Sequence, residues 1–274
     1  MNKPQPLGVF DSGYGGLTVF REIVSRLPEY DFLYLGDNAR TPYGTRSFET
    51  VYHYTRDAVR WLFARGCRLV ILACNTASAK ALRTIQQKDL PVLAPERRVL
   101  GVIRPVTERI GEFSKSGHVG IFATAGTVRS QSYLIEIGKS FPGLVVQQEA
   151  CPLWVPLIEN NELSGPGTEH FVRRHIDRLL ARDPAIDAII LGCTHYPLLS
   201  DLIARFLPPG IKLISQGAIV AGALADYLRR HPEIARACSK GGQQEFFTTD
   251  DPEGFDALAT LFYGSAVRSN KTDL

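Results

Sequence analysis

Short apolar stretches, each closed by a small or polar residue, alternate along this chain with segments whose apolar residues recur at helical spacing. The stretches lie at 7–10, 32–36, 69–72, 118–122, 144–146, 188–191, 211–215 and 244–249. The helical segments lie at 17–24, 49–65, 130–139, 219–230 and 252–262, with a further one ending at Arg182. A run of four or five apolar residues without alternation reads as a strand buried on both faces, and such strands pair into parallel sheets covered by helices. That pattern constrains the chain to an α/β architecture. Its 274 residues provide for one large domain or two of moderate size.

Two of these strands end at a thiol. Leu-Val-Ile-Leu runs into Ala-Cys-Asn-Thr-Ala-Ser, which holds Cys74, and Ala-Ile-Ile-Leu runs into Gly-Cys-Thr-His-Tyr-Pro, which holds Cys193. Open α/β sheets place their ligands beyond the carboxyl ends of strands, so thiols delivered there from two halves of the chain predict one site approached from two sides. Taken alone, either cysteine reads as a small buried hydrophobe. The company differs from that reading: Asn75 and Thr76 follow Cys74, while Thr194 and His195 follow Cys193. Polar side chains and free backbone N–H groups where a helix begins can hold a carboxylate. Cys67 lacks such neighbours, Cys151 reads as packed beside Trp154, and Cys238 reads as exposed in a polar stretch.

The turn Asp-Ser-Gly-Tyr-Gly-Gly at 11–16 has a phosphate-loop look but fails the test, because Thr18 stands where the dinucleotide fingerprint needs glycine and no Gly-Lys-Ser/Thr follows. It reads either as a plain glycine turn or as a device that points Asp11 and Ser12 into the cleft with the thiols. The Cys-x-His spacing of Cys193 and His195 lacks the further ligands a zinc site needs, and His170 and His175 are five apart on a helical stretch, off one face. No metal is expected. The net charge of +3 and the dispersed Arg pairs at 97–98, 173–174 and 229–230 give no nucleic-acid footprint. No apolar run approaches the roughly 18 residues of a membrane span, and no signal-peptide core precedes Asp11. Five cysteines without regular spacing fit a reducing compartment, so free thiols and a cytoplasmic protein are expected.

Taken together, the motifs resemble the cofactor-independent aspartate/glutamate racemases, and the glutamate racemases in particular. The resemblance is carried by 8–17, by Tyr34-Leu-Gly-Asp and Pro42-Tyr-Gly, by Ala-Cys-Asn-Thr-Ala at 73–77, by Gly101-Val-Ile, and by Ala-Thr-Ala-Gly-Thr-Val at 123–128. It continues through Cys-Pro-Leu-Trp-Val-Pro-Leu-Ile-Glu at 151–159 and Leu-Gly-Cys-Thr-His-Tyr-Pro-Leu at 191–198, in family order. It implies two similar α/β lobes, each a mostly parallel sheet flanked by helices, with the active site in the cleft between them. One lobe would comprise 1–101 and 215–274, the other 102–214. It implies that Cys74 takes the α-proton from D-glutamate and Cys193 from L-glutamate, with Asp11, Glu159 and His195 assisting. Ser12, Pro42, Tyr43, Gly44, Asn75, Thr76, Thr124, Thr127 and Thr194 match substrate-contact positions. The family role would be supply of D-glutamate for peptidoglycan, without a cofactor, from a protein compatible with a homodimer. The chain departs from the pattern at Ala-Pro-Glu-Arg-Arg-Val (94–99), which looks like an insertion near the approach to a domain boundary, and at Asn38 and Val106.

Chemistry supports the pairing of thiols independently. Inverting a carbon that bears one removable hydrogen needs a base on one face and an acid on the other, since a single group tends to return the proton where it came from. A thiol with an unperturbed pKa near 8.5 needs only a modest shift to serve in either form. No pyridoxal-binding signature is present, so the protein itself must stabilise the developing charge. Two rivals remain on sequence grounds: a racemase of aspartate, hydantoin or another small amino acid with the same paired thiols, and a non-catalytic two-lobed protein that closes on an amino acid.

Overall fold

In a computed structural model, described over residues 5–274, ten strands form two sheets. They are β1 (Leu7–Asp11), β2 (Phe32–Gly36), β3 (Leu69–Leu72), β4 (Arg98–Gly101), β5 (His118–Ala123), β6 (Val145–Ala150), β7 (Ala188–Gly192), β8 (Lys212–Ile214), β9 (Gln244–Thr248) and β10 (Ser269–Lys271). The first sheet has the order β10-β9-β2-β1-β3-β4 and the second β6-β5-β7-β8, and every strand pair in both is parallel. Two parallel-sheet α/β lobes flanked by helices are what the apolar runs and the resemblance predicted.

The central strands are buried at every residue, β1, β2, β3 and β7 alike, because helices cover both faces. Edge strands look different. β6 carries Gln147, Gln148 and Glu149 and is mostly accessible, which is why apolar patterning finds only its first residues. The segment around 94–99, read as an insertion near the approach to a domain boundary, leads into β4, the edge strand paired with β3 from Leu69↔Arg98 to Leu72↔Gly101.

Helix Phe48–Ala64 starts where the Ser47 hydroxyl accepts the Thr50 N–H at 3.1 Å, and it buries Val51, Thr55, Ala58, Val59 and Leu62 along one stripe. Each fully buried aliphatic of this kind contributes about 1.5–3 kcal/mol relative to exposure. The helix expected over 130–139 is Ser132–Ser140, preceded by a second helix, Ala125–Ser130, from which Gln131 in the left-handed region at φ 57° divides it. Cys238 is buried rather than exposed, because helix Pro232–Ala237 folds its polar stretch back onto the first lobe's core. Cys151 packs as expected in the core that holds Trp154, whose ring lies 5.0 Å from Phe122 and 4.9 Å from Tyr196.

The chain leaves the first sheet after β4 and returns to it after β8. The first four strands of sheet one run 2-1-3-4 and those of sheet two run 6-5-7-8, the same topology twice. In each, strand order reverses beside the first strand, so the crevice lies between β1 and β3 in one lobe and between β5 and β7 in the other. Asp11 ends β1 and Cys74 follows β3, while Thr124 follows β5 and Cys193 follows β7.

Candidate functional site

Cys74 is only 6% exposed and caps helix Asn75–Lys80, its sulfur accepting the Ala77 N–H at 3.4 Å. The Ser12 hydroxyl lies 3.3 Å from the same sulfur. Burial, reinforced by the Asp11 carboxylate and by Cys193, pushes the Cys74 thiol up to about 12, against the lowering contacts from Ser12 and Ala77. Asp11 is fully buried. Its Oδ2 accepts the Gly13 N–H at 2.9 Å, whereas its Oδ1 has no partner. Burial raises its carboxyl, partly offset by His195 and by nearby backbone amides.

On the other side, Cys193 Sγ lies 3.9 Å from His195 Nδ1, and His195 Nε2 lies 2.9 Å from Glu159 Oε1. Burial by itself lowers an imidazole, but here the hydrogen bonds to Cys193 and Glu159 and their negative charges outweigh it and lift His195 to about 10. The contacts on both sides of the ring thus favour its protonated form, between a sulfur and a carboxylate. Glu159 reaches it from helix Trp154–Glu159, which Trp154 anchors in the core.

The glycine turn joins the two sides. A Cβ on Gly15 would lie 2.3 Å from His195 Nδ1 and 2.5 Å from Thr194 Oγ1, and one on Gly16 would lie 2.5 Å from Asp11 Cβ. These positions hold glycine because site residues rest directly on the backbone, from the other lobe at Gly15 and from the same lobe at Gly16. The Thr18 hydroxyl fixes the same junction, lying 2.8 Å from the Thr194 carbonyl and 2.9 Å from the Gly15 carbonyl, to which it donates. A threonine cluster spans the lobes as well: Thr76 Oγ1 is 3.0 Å from Thr124 Oγ1 and 3.4 Å from Thr127 Oγ1, and Thr124 Oγ1 donates to Thr127 at 3.1 Å.

Gly44 lies against Thr124, close enough that an added Cβ would sit 3.2 Å from it. Tyr43 is buried and donates its hydroxyl to Asp37, which also accepts from Arg40 Nε at 2.7 Å and Thr249 Oγ1 at 2.9 Å. That network, closed by a residue just past β9, holds the loop of Pro42, Tyr43 and Gly44. Asn75 stands apart from the other polar neighbours. Its amide is engaged by Tyr133 and Gln216, both at 3.0 Å, rather than free in the cleft.

Thus Asp11, Ser12 and Cys74 gather on one side and Cys193, His195 and Glu159 on the other, with Gly44, Thr76, Thr124, Thr127 and Thr194 between or beside them. Sequence reasoning passes over Thr18, Tyr133 and Gln216. Thr18 appears in the motif only as a residue that is not glycine, and the others lie outside any motif. Among the described residues no group of three or more His, Cys, Asp or Glu is arranged to hold a metal ion, and no helix is long and apolar enough to cross a membrane.

Residues 7–224 match the family model described as Asp/Glu/Hydantoin racemase. The glutamate racemase of Ruegeria sp. (strain TM1040) is 42% identical over 266 residues, 93% of this chain and 96% of that protein. The crystal structure of a glutamate racemase isoform from Bacillus anthracis superposes with a TM-score of 0.89 at 33% identity, over 100% of this chain and 99% of that one. The glutamate racemase of Francisella tularensis, solved in complex with D-glutamate, gives 0.86 at 31% identity over 99% and 98%.

Proposed function

The chain belongs to the Asp/Glu/hydantoin racemase family and is an amino-acid racemase, and we propose that it interconverts L- and D-glutamate by a two-base mechanism with Cys74 and Cys193 on opposite faces of the α-carbon. The observation that carries this reading is the pair of thiols, each at the carboxyl end of a strand beside the crevice of its own sheet, one beside the Ser12 hydroxyl and the other beside the His195 imidazole. The substrate assignment draws on relatives such as the Ruegeria enzyme, named glutamate racemase, and on the Francisella enzyme with D-glutamate bound.

In the D-to-L direction Cys74, as thiolate, takes the α-hydrogen as a proton, leaving the electron pair on the carbon. Cys193, as thiol, then delivers its proton to the opposite face. The end state is the starting state of the reverse reaction. Asp11, raised by burial, is placed to take the Cys74 proton when that thiol must ionise, and His195, held charged by Glu159, exchanges a proton with Cys193. Hydroxyls of Ser12, Thr76, Thr124, Thr127 and Thr194, backbone groups near Asn75, and the Pro42-Tyr43-Gly44 loop would hold the carboxylates and the developing negative charge. Residues 1–101 with 215–274 form one lobe and 102–214 the other, so closure brings the thiols onto the substrate. The product D-glutamate would enter peptidoglycan, made by a cytoplasmic enzyme that works without a cofactor.

Racemisation in deuterated water tests the scheme. Cys74→Ser and Cys193→Ser should each depress turnover by about 1,000-fold or more, since general acid–base groups contribute about 100- to 10,000-fold. Full activity with either thiol removed would sink the two-base reading. A higher kcat/KM on aspartate than on glutamate would overturn the substrate.

A further inference from the structure

Beneath the two cysteine turns lies a buried polar cluster that the mechanism above does not use. Gln216 sits where the chain leaves β8 and enters helix Gly217–Arg230, which packs on helix Leu17–Arg26. Its Nε2 donates at 2.6 Å to the carbonyl of Leu191, two residues before Cys193, and at 3.2 Å to Oδ1 of Asn75, the residue after Cys74. Its Oε1 accepts from Asn75 Nδ2 at 3.0 Å and from the Tyr133 hydroxyl at 3.1 Å. Asn75 Nδ2 also donates to Tyr133 at 3.0 Å. None of the three side chains is more than 3% exposed. A primary amide has two donor hydrogens and an oxygen that accepts twice, so Gln216 is saturated. A fully satisfied buried network of this kind is rigid.

We propose that Gln216 is a positioning residue that sets the separation of the two thiols by tying the turn after β3 to the strand that ends at Cys193. This rests on the reading of Cys74 and Cys193 as the two acid/base groups. Each lobe carries one thiol, so any slippage between lobes changes the span across the substrate carbon, and a misplacement of about 1 Å costs about 100-fold in rate. Leucine at 216 would match the size of glutamine but strand the Leu191 carbonyl and the Asn75 amide, which would move to find other partners.

The test uses the full-length enzyme with Gln216→Leu and Gln216→Glu, and Val220→Ala on the same helix as a packing control. For each, kcat and KM are measured in both directions, together with primary isotope effects on α-deuterated L- and D-glutamate and thermal midpoints. The Gln216 variants should lose about 10- to 100-fold in kcat with KM within about threefold, and their isotope effects should rise in both directions as proton transfer becomes limiting. The control should lose thermal stability with its isotope effects unchanged. Wild-type kcat in a folded Gln216→Leu, or a fall in kcat matched by the unfolded fraction with unaltered isotope effects, would overturn the proposal. Should the leucine variant fail to fold, Gln216→Glu keeps the shape and the acceptor for Tyr133 while losing both donors, and carries the same measurement. Full activity of the two cysteine-to-serine variants would remove the underlying reading instead, whatever the Gln216 variants do.

Discussion

The two halves of the molecule repeat one strand topology, 2-1-3-4 and 6-5-7-8, yet they dress their thiols in opposite ways. Cys74 has a hydroxyl and a buried carboxylate for neighbours, and its proton is held tightly, up to about 12. Cys193 has an imidazole whose pKa the contacts with Cys193 itself and with Glu159 lift to about 10 against the effect of burial. The difference teaches that a repeated scaffold need not repeat its electrostatics. The proposed two-base scheme needs acid and base on opposite faces of the α-carbon, and the two thiols meet neighbours of opposite charge.

The comparison can be broken most severely at the turn that touches both halves. Gly15→Ala drives a methyl group into His195 and Thr194, and kcat/KM should fall by about 100-fold, whereas Gly13→Ala, whose added carbon would meet Asn38 at an ordinary 3.6 Å, should stay close to wild type. Steady-state kinetics on both variants checks this; equal losses would show that the turn does not discriminate between the two sides. Next in size, Ser12→Ala removes the hydroxyl from the Cys74 side alone and should lower kcat by about tenfold, the worth of one hydrogen bond to a charged group.

A smaller effect separates the sides by pH. His195 has its pKa raised in the fold from 6.5 to about 10, so its protonation stabilises the folded state fully below about 6.5, and this contribution is lost as pH rises through about 10. Glu159→Gln removes one of the groups that lift it, so the contribution should be smaller at low pH and exhausted at a lower pH; thermal midpoints measured from pH 6 to about 10 would show the gap between the two curves narrowing as pH rises towards 10. Parallel curves would mean that Glu159 does not hold the charge. The mildest change is Thr18→Val, which removes the hydroxyl bridge to Thr194 and should cost about 1 kcal/mol in denaturant unfolding.

Much of the fold is legible in the sequence because buried parallel strands leave near-continuous apolar runs, as at 69–72 and 188–191, and because small polar turns mark where they stop. The edges are less so. β4 begins with an exposed Arg98, and β6 runs through Gln147, Gln148 and Glu149, since an edge strand exposes one side to water and has no need of an unbroken apolar run. Cys238 is misread as exposed for a related reason: polar neighbours in sequence say nothing about a helix that turns the sulfur inward. The thiols, Asp11 and His195 announce themselves through motif and chemistry. Thr18 and Gln216 do not, because a lone hydroxyl or amide acquires meaning only from the carbonyl it finds across the molecule.

The sequence by itself determined the strand-thiol-turn-helix units and the residue types at their ends, since periodicity and capping act over a few neighbours along the chain. Tertiary structure alone decided that β9 and β10 return to extend the first sheet, that a glycine backbone lies under His195, and that Gln216 reaches both cysteine turns at once. Those are contacts between segments far apart in sequence. No local pattern encodes them, because the energy that selects them comes from burying whole faces together and satisfying the polar groups left inside.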